Sequence, residues 1–189
     1  MKKLVLTLCA TAVLSACSGM SNKSNMADVH TVMVGGAAMY PSKDIVDNAV
    51  NSKDHTTLVA AVKAAGLVDT LKSPGPFTVF APVNGAFDLL PAGTVATLLK
   101  PENKATLTKV LTYHVVPGRM NASDLSKQIS IGNGRTMLKT ASGGTLIASM
   151  SGANVIITDE NGGSAKVTIA DVNQSNGVIH VVDKVLSPK

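Results

Sequence analysis

The residues best able to bind a metal, attack a carbonyl or move a proton are four histidines, two cysteines and a thin scatter of carboxylates. His30, His55, His114 and His180 lie far apart, and no two share the short spacing that places two imidazoles on one metal ion. His180 stands in the apolar run Val178-Ile179-His180-Val181-Val182, where a hydrogen-bonded core histidine explains it better than a ligand. His55 reads as part of a helix start, and His30 as part of an irregular stretch. The chain has no Gly-x-Ser-x-Gly elbow, no Gly-rich phosphate loop followed by Lys and no His-Glu-x-x-His. Gly132-Asn133-Gly134 and Gly162-Gly163 read as turns, and Asp171 and Asp183 as single carboxylates. The methionines Met137 and Met150 suit gap-filling in hairpins. The expectation is therefore no catalytic residue, no metal site and no cofactor.

Positioning must come from the stretch Phe77-Thr78-Val79-Phe80-Ala81-Pro82-Val83-Asn84-Gly85-Ala86-Phe87, which holds all three phenylalanines of a chain without Trp. Phe77, Val79 and Ala81 fall on one face of an extended segment and Phe80 on the other, the pattern of a strand covered on both sides. Pro82 cannot donate to a ladder and ends the pairing. Asn84 sits where a short helix can start, with a side-chain oxygen available to free N–H groups.

The first residues read as an address. Lys2 and Lys3 precede the apolar run Leu4 to Leu14, too short to span a bilayer, and Leu14-Ser15-Ala16-Cys17 resembles a lipobox. Residues 1–16 are then a signal peptide, and Cys17 is the lipidation site. The competing reading is an ordinary secretory signal cut near Ala16. Two or three acyl chains at roughly 0.8 kcal/mol per buried CH₂ would hold the protein firmly to a membrane. Ser18 is not the Asp associated with inner-membrane retention, so outer-membrane sorting follows in a cell with two membranes; without acylation the product is periplasmic or secreted. With Cys9 removed, Cys17 is the one cysteine of the mature chain, which excludes an internal disulfide and a thiolate zinc site. Residues 17–41 read as a tether with a reach of roughly 25–30 Å. Its apolar end, Val32-Met33-Val34 and Tyr40-Pro41, is also able to dock on the domain.

Residues 42–188 suit one domain with one core. The formal charge of +5 falls to +3 without Lys2 and Lys3, with no basic stripe and few free aromatics, which argues against nucleic acid and against stacking on sugar rings. Ser42 precedes an amphipathic segment around Ile45 and Val46. A second helix begins near Thr56 and stops at Gly66. Pro101 opens a helix carrying Leu107, Val110 and Leu111, and Tyr113-His114-Val115-Val116 reads as a strand. Ser123 and Asp124 start one more short helix. Thr136–Thr140 and Thr145–Ala148 flank one hairpin turn. Val155–Thr158 and Ala165–Ile169 flank another. Val178 to Leu186 is apolar on both faces and should be internal. Helices in the first half and hairpins in the second make this an α+β domain whose last strand returns beside the Phe77 strand.

Three segments together resemble the fasciclin domain. They are Phe77 to Phe87, then Tyr113-His114-Val115-Val116-Pro117-Gly118, then Asn176-Gly177-Val178-Ile179-His180-Val181-Val182-Asp183-Lys184-Val185-Leu186. The sequence departs from the family at Val83, where Thr is usual, and at Gly85, where Glu is common. The resemblance implies a β-wedge packed with helices, with Phe77, Phe80, Asn84, Phe87, Tyr113, His114 and His180 as structural motif residues. An imidazole–amide pair between His114 and Asn84 is the expected tie between motifs. Adhesion or attachment to extracellular matrix, an envelope polymer or a surface protein is the implied function, as in a biofilm, with the membrane engaged through the N-terminal lipid. A periplasmic carrier of a small hydrophobic ligand is the alternative, and it requires a cavity of roughly 300–1,000 Å³.

Overall fold

A computed structural model describes residues 31–189 of the protein. The signal peptide, Cys17, His30 and most of the tether lie outside the described residues. The first element is a hairpin of β1 (Val32–Val34) and β2 (Ala37–Met39). Gly35 and Gly36 turn it at φ +57° and +75°, a two-residue loop that side-chain-bearing residues rarely form. Val34 and Met39 are buried against the domain. The end of the 17–41 segment is thus core rather than tether, and the folded unit includes Val32 to Met39, ahead of Ser42.

Helix α1 (Ile45–Ala49) is capped by Asp44, whose carboxylate accepts from Asp47 N–H at 2.8 Å, and not by Ser42. Helix α2 (Thr56–Ala65) buries Leu58, Ala61, Val62 and Ala65 and ends at Gly66 in the left-handed region, φ +72°. Leu67 N–H then reaches back to the Val62 carbonyl. After α3 (Val68–Lys72) comes β3 (Phe77–Pro82), then α4 (Asn84–Asp88) and α5 (Thr94–Leu98). Helix α6 (Lys104–Tyr113) runs further than its sequence suggests: Tyr113 is its last residue and His114 its C-cap. Only Val115–Pro117 is extended, as β4. Leu107 and Leu111, buried in one interior, and Tyr113, buried in the other, keep the segment helical against its local β preference.

Helix α7 (Ala122–Ile131) starts at Asn121, whose N–H donates to Asp124 at 3.1 Å. The rest is sheet. Strands β5 (Arg135–Lys139), β6 (Thr145–Ser151) and β7 (Asn154–Thr158) form antiparallel hairpins, as their period of two predicts. Strand β8 (Ser164–Gln174) is longer than expected because a bulged stretch between Val167 and Val172 lets it leave β7 and pair with β9 (Gly177–Val182).

The seven-stranded order is β4-β3-β9-β8-β7-β6-β5. Its centre is the parallel pair β3–β9, in register from Phe77↔Gly177 through Val79↔Ile179 and Ala81↔Val181 to Pro82↔Val182. The early and late apolar segments are therefore neighbours. The Val115 carbonyl accepts from Ala141 N–H at 2.7 Å, bringing the two sheet edges together into a nearly closed wedge. Alternation along β3 and β9 then divides the interior. Val79, Ala81, Ile179 and Val181 face α1, α2 and α6 together with Ile45, Leu58 and Leu111. Phe80 and Val182 face α7 and the hairpins with Tyr113, Leu125, Leu146 and Ile157.

Candidate functional site

Each motif residue sits at a joint between elements. Phe80 is fully buried, its ring 5.7 Å from that of His180 and inclined by 26°. Phe77 and Phe87 are half-buried on the opposite side, against the helical interior. Tyr113 is fully buried, and its hydroxyl donates to the Thr145 carbonyl at 2.8 Å and accepts from Glu160 N–H at 3.1 Å. Helix α6 is thus bolted to two hairpin turns. Gly144 lies so close to this ring that a Cβ there would meet Tyr113 Cε2 at 2.6 Å.

Asn84 and His114 do not pair, contrary to the sequence-based expectation. Asn84 Oδ1 accepts from Thr57 N–H at 3.0 Å and from the Thr56 hydroxyl at 3.2 Å, while its Nδ2 donates to the Lys53 carbonyl at 2.8 Å. It caps α2 from a distance instead of its own helix, which satisfies one of the free N–H groups of a helix N-terminus. His114 turns the other way. Its backbone N–H bonds to Leu111, which leaves the Val110 carbonyl free, and ring Nδ1–H donates to that oxygen at 2.8 Å. Nε2 then accepts from Leu186 N–H at 3.0 Å, pinning the C-terminal segment.

His180 uses the opposite tautomer. Nε2–H donates to the Met120 carbonyl at 2.8 Å, and Nδ1 accepts from Asp171 N–H at 3.4 Å, in the bulge of β8. Burial lowers the pKa of His55, His114 and His180 alike, that of His114 to about 4, because each cation would lose its hydration. All three are neutral at pH 7. His55 caps no helix through its ring. Its Nδ1 bonds to Ser52 Oγ at 2.9 Å, and its buried Nε2 has no hydrogen-bond partner among the described residues.

The carboxylates serve the backbone in the same way. Asp159 accepts from Asn161 and Gly163 through Oδ1 and from Ser187 through Oδ2, at 3.0, 2.8 and 3.0 Å. Asp171 accepts from Ala122 N–H at 2.6 Å and Asp183 from Lys166 N–H at 2.8 Å. Among the described residues no three His, Cys, Asp or Glu side chains come together as a metal site. Sequence reasoning overlooked Asn176, which is buried beside β9. Its Oδ1 accepts from Ile45 N–H at 3.1 Å, and its Nδ2 donates to the Leu71 and Ser73 carbonyls at 2.7 and 3.0 Å. Its place before Gly177 was the available signal: a Cβ at Gly177 would lie 2.2 Å from the Phe77 carbonyl oxygen, so the turn must pass close to β3. Asn48 continues the network through Tyr40 and Gln174.

An apolar cavity of about 100 Å³ lies between the β3–β9 sheet and the helices, walled by Val34, Ile45, Leu58, Val62, Val79 and Ile179. Its lining presents almost no polar surface. No helix among the described residues is long and apolar enough to cross a membrane.

The comparisons with known proteins agree with this geometry. The fasciclin domain family matches residues 53–188. Protein sll1483 of Synechocystis sp. is 44% identical over 171 residues, covering 86% of each chain. Immunogenic protein MPB70 of Mycobacterium bovis is 35% identical over 149 residues, 74% of this chain and 66% of that one. A FAS1 domain pair from the insect cell adhesion molecule Fasciclin I superposes with a TM-score of 0.68 at 20% identity, over 78% of this chain and 51% of that one. The match over most of its length, and the shared wedge, place this chain in the fasciclin domain family.

Proposed function

We propose that this protein acts without catalysis as an attachment module. An acylated Cys17 holds it at the cell envelope, and the folded domain presents its surface to extracellular matrix, an envelope polymer or a protein on a neighbouring surface. In a cell with two membranes the anchor lies in the outer membrane; an unacylated product is periplasmic or secreted. The observation that carries the reading is how the polar side chains are used. His114, His180, Asn84, Tyr113, Asp159 and Asp171 all bond to backbone groups of neighbouring elements, and so build the fold instead of converging on a cleft. A protein built this way acts through its exterior. The wedge is shared with a FAS1 pair from an insect cell adhesion molecule, which supports attachment by likeness of fold alone.

The cavity separates this reading from the carriage of a small hydrophobic ligand. At about 100 Å³ it is smaller than the roughly 300–1,000 Å³ of ligand sites, and it lacks convergent polar groups. Two measurements test the proposal. Cys17→Ser should move the protein from the membrane to the soluble fraction in a high-salt wash that the parent withstands; retention equal to the parent's after that wash contradicts the anchor. A deletion strain should attach and form biofilm less well than its parent, and the full-length protein should retain a matrix or envelope component in a pull-down. Unaltered attachment contradicts the module.

A further inference from the structure

One face of the protein takes no part in the interior. Strands β5, β6, β7 and the start of β8 turn Leu138, Leu146, Ala148 and Ile157 inward onto the side that holds Leu125 and Ile129 of α7. The alternate residues point outward. On that side Met137 pairs with Ile147, whose β7 partner is Thr158, and Ile156 pairs with Ser149 and Lys166, so Met137, Ile147 and Ile156 run diagonally across three strands with Ser149 and Thr158 beside them. Met137 is 75% exposed, and Ile147 and Ile156 are half-buried.

Three cations stand on the same face, Arg135 and Lys139 on β5 and Lys166 on β8, and all are exposed. The ion pairs among the described residues involve Lys72, so none of these three is neutralised. Strand residues 135–139, 145–151, 154–158 and 164–170 include no Asp or Glu. Two carboxylates stand at the margin of this face and keep their charge, Asp183 accepting from Lys166 N–H and Glu160 from Thr145 N–H, while Arg135 and Lys139 on β5 form no ion pair among the described residues.

Cations on an edge strand ordinarily discourage pairing with another sheet. That accounts for Arg135 and Lys139 on β5, but not for Lys166, which lies on an internal strand. Nor does it account for a methionine left three-quarters exposed between them. An acidic polymer would satisfy the cations and leave the apolar stripe in water. A sugar chain would find no aromatic ring here, since Phe77, Phe80, Phe87, Tyr40 and Tyr113 lie on other elements. A bilayer interface with anionic headgroups offers both partners at once.

We propose that the outer face of β5–β8 docks on an anionic lipid bilayer, with Met137, Ile147 and Ile156 at the headgroup–acyl boundary and Arg135, Lys139 and Lys166 among the headgroups. Docking does not require an acylated Cys17. The about 14 residues from Cys17 to Thr31 span at most ~50 Å, so an anchor there would keep the domain near the surface while leaving the choice of face to its own chemistry. The face would then set the orientation of the domain and turn its helical half outward.

The test is co-sedimentation of the full chain carrying Cys17→Ser with vesicles of phosphatidylcholine alone or mixed with phosphatidylglycerol. The proposal expects partitioning onto the mixed vesicles only, reversed by salt. Each basic residue near an anionic surface multiplies partitioning roughly fivefold. Arg135→Gln, Lys139→Gln and Lys166→Gln combined should therefore lower it about 100-fold, and Met137→Ser about tenfold. All four positions are exposed, and an unchanged melting temperature verifies that the variants fold. Because every variant is compared in one background, any contribution of the N-terminal segment cancels. Equal binding to both vesicle types, or no loss in the triple variant, overturns the proposal. So does binding, sensitive to the same substitutions, to an anionic polysaccharide but not to vesicles.

Discussion

The two interiors on either side of the β3–β9 pair are built by different means. On the helical side short elements are stitched together by side chains that reach backbone groups far away in sequence: Asn84 to α2, and Asn176 to α1 and α3. The packing there is aliphatic, leaves a cavity of about 100 Å³, and has Phe77 and Phe87 half-buried at its margin. On the hairpin side backbone ladders fix the strands, and two fully buried rings, Phe80 and Tyr113, fill the centre. Side-chain ties on this side fasten the turns and α7, at Tyr113, Asp159 and Asp171, while the strands are held by their ladders. Short helices, which are unstable alone, need many such ties. The phenylalanines that the sequence groups in one motif are thus divided between two environments of different packing.

That division predicts unequal losses. Phe80→Ala should cost about 3–5 kcal/mol, while Phe87→Ala, already partly in water, should cost about 1–2 kcal/mol. Denaturant melts of the two variants measure the difference, and equal losses would erase the contrast between the interiors. The next largest effect concerns His114, which ties both sides to the C-terminal segment. Its folded pKa, pushed down to about 4 by burial, lies below its unfolded value of 6.5. Between those values the unfolded chain holds a proton that the folded chain rejects, so stability is complete above 6.5 and declines as pH falls towards 4. The loss amounts to about 3 kcal/mol. His114→Gln keeps one donor and one acceptor without titrating, and should flatten this part of the pH profile of the urea midpoint. A profile as steep as the parent's would assign the loss to other groups. The smallest effect is Asn84→Ala, at about 1–2 kcal/mol for a lost cap. Amide exchange should quicken at the start of α2 and leave β5–β7 unchanged.

The hairpin side was the more legible of the two in sequence. Alternation in Thr136–Thr140, Val155–Thr158 and Ala165–Ile169, with Gly-rich turns between, placed three strands to within a residue or two at most ends. Only the onward course of β8 was hidden, because a bulge leaves no mark in an apolar pattern. Gly66 ended α2 as expected, through a local conformational need. The errors on the helical side have one origin: long-range contacts decided local choices. Tyr113 stayed in a helix because its hydroxyl reaches Thr145 and Glu160. Asn84 caps a helix some thirty residues upstream, as the Thr57–Asn84 separation of 27 indicates. The β1–β2 hairpin is three residues per strand, too short to show a period, although Gly35-Gly36 between apolar residues was a readable turn signal. Of the motif residues, the central places of Phe80 and His180 follow from their apolar neighbours. The partners of Asn84, His114 and Asn176 do not, since an amide or imidazole in sequence does not declare which backbone group it will meet.

The claim beneath all of this is that β3 and β9 form a single partition shared by both interiors. Native-state hydrogen exchange tests it most directly. Amides of Val79, Phe80 and Ala81 and of Ile179, His180 and Val181 should be the slowest in the protein and should exchange with one common free energy, equal to that of global unfolding. If the β9 amides instead open with the hairpins while the β3 amides stay protected with the helices, the two halves are separate units and the account fails.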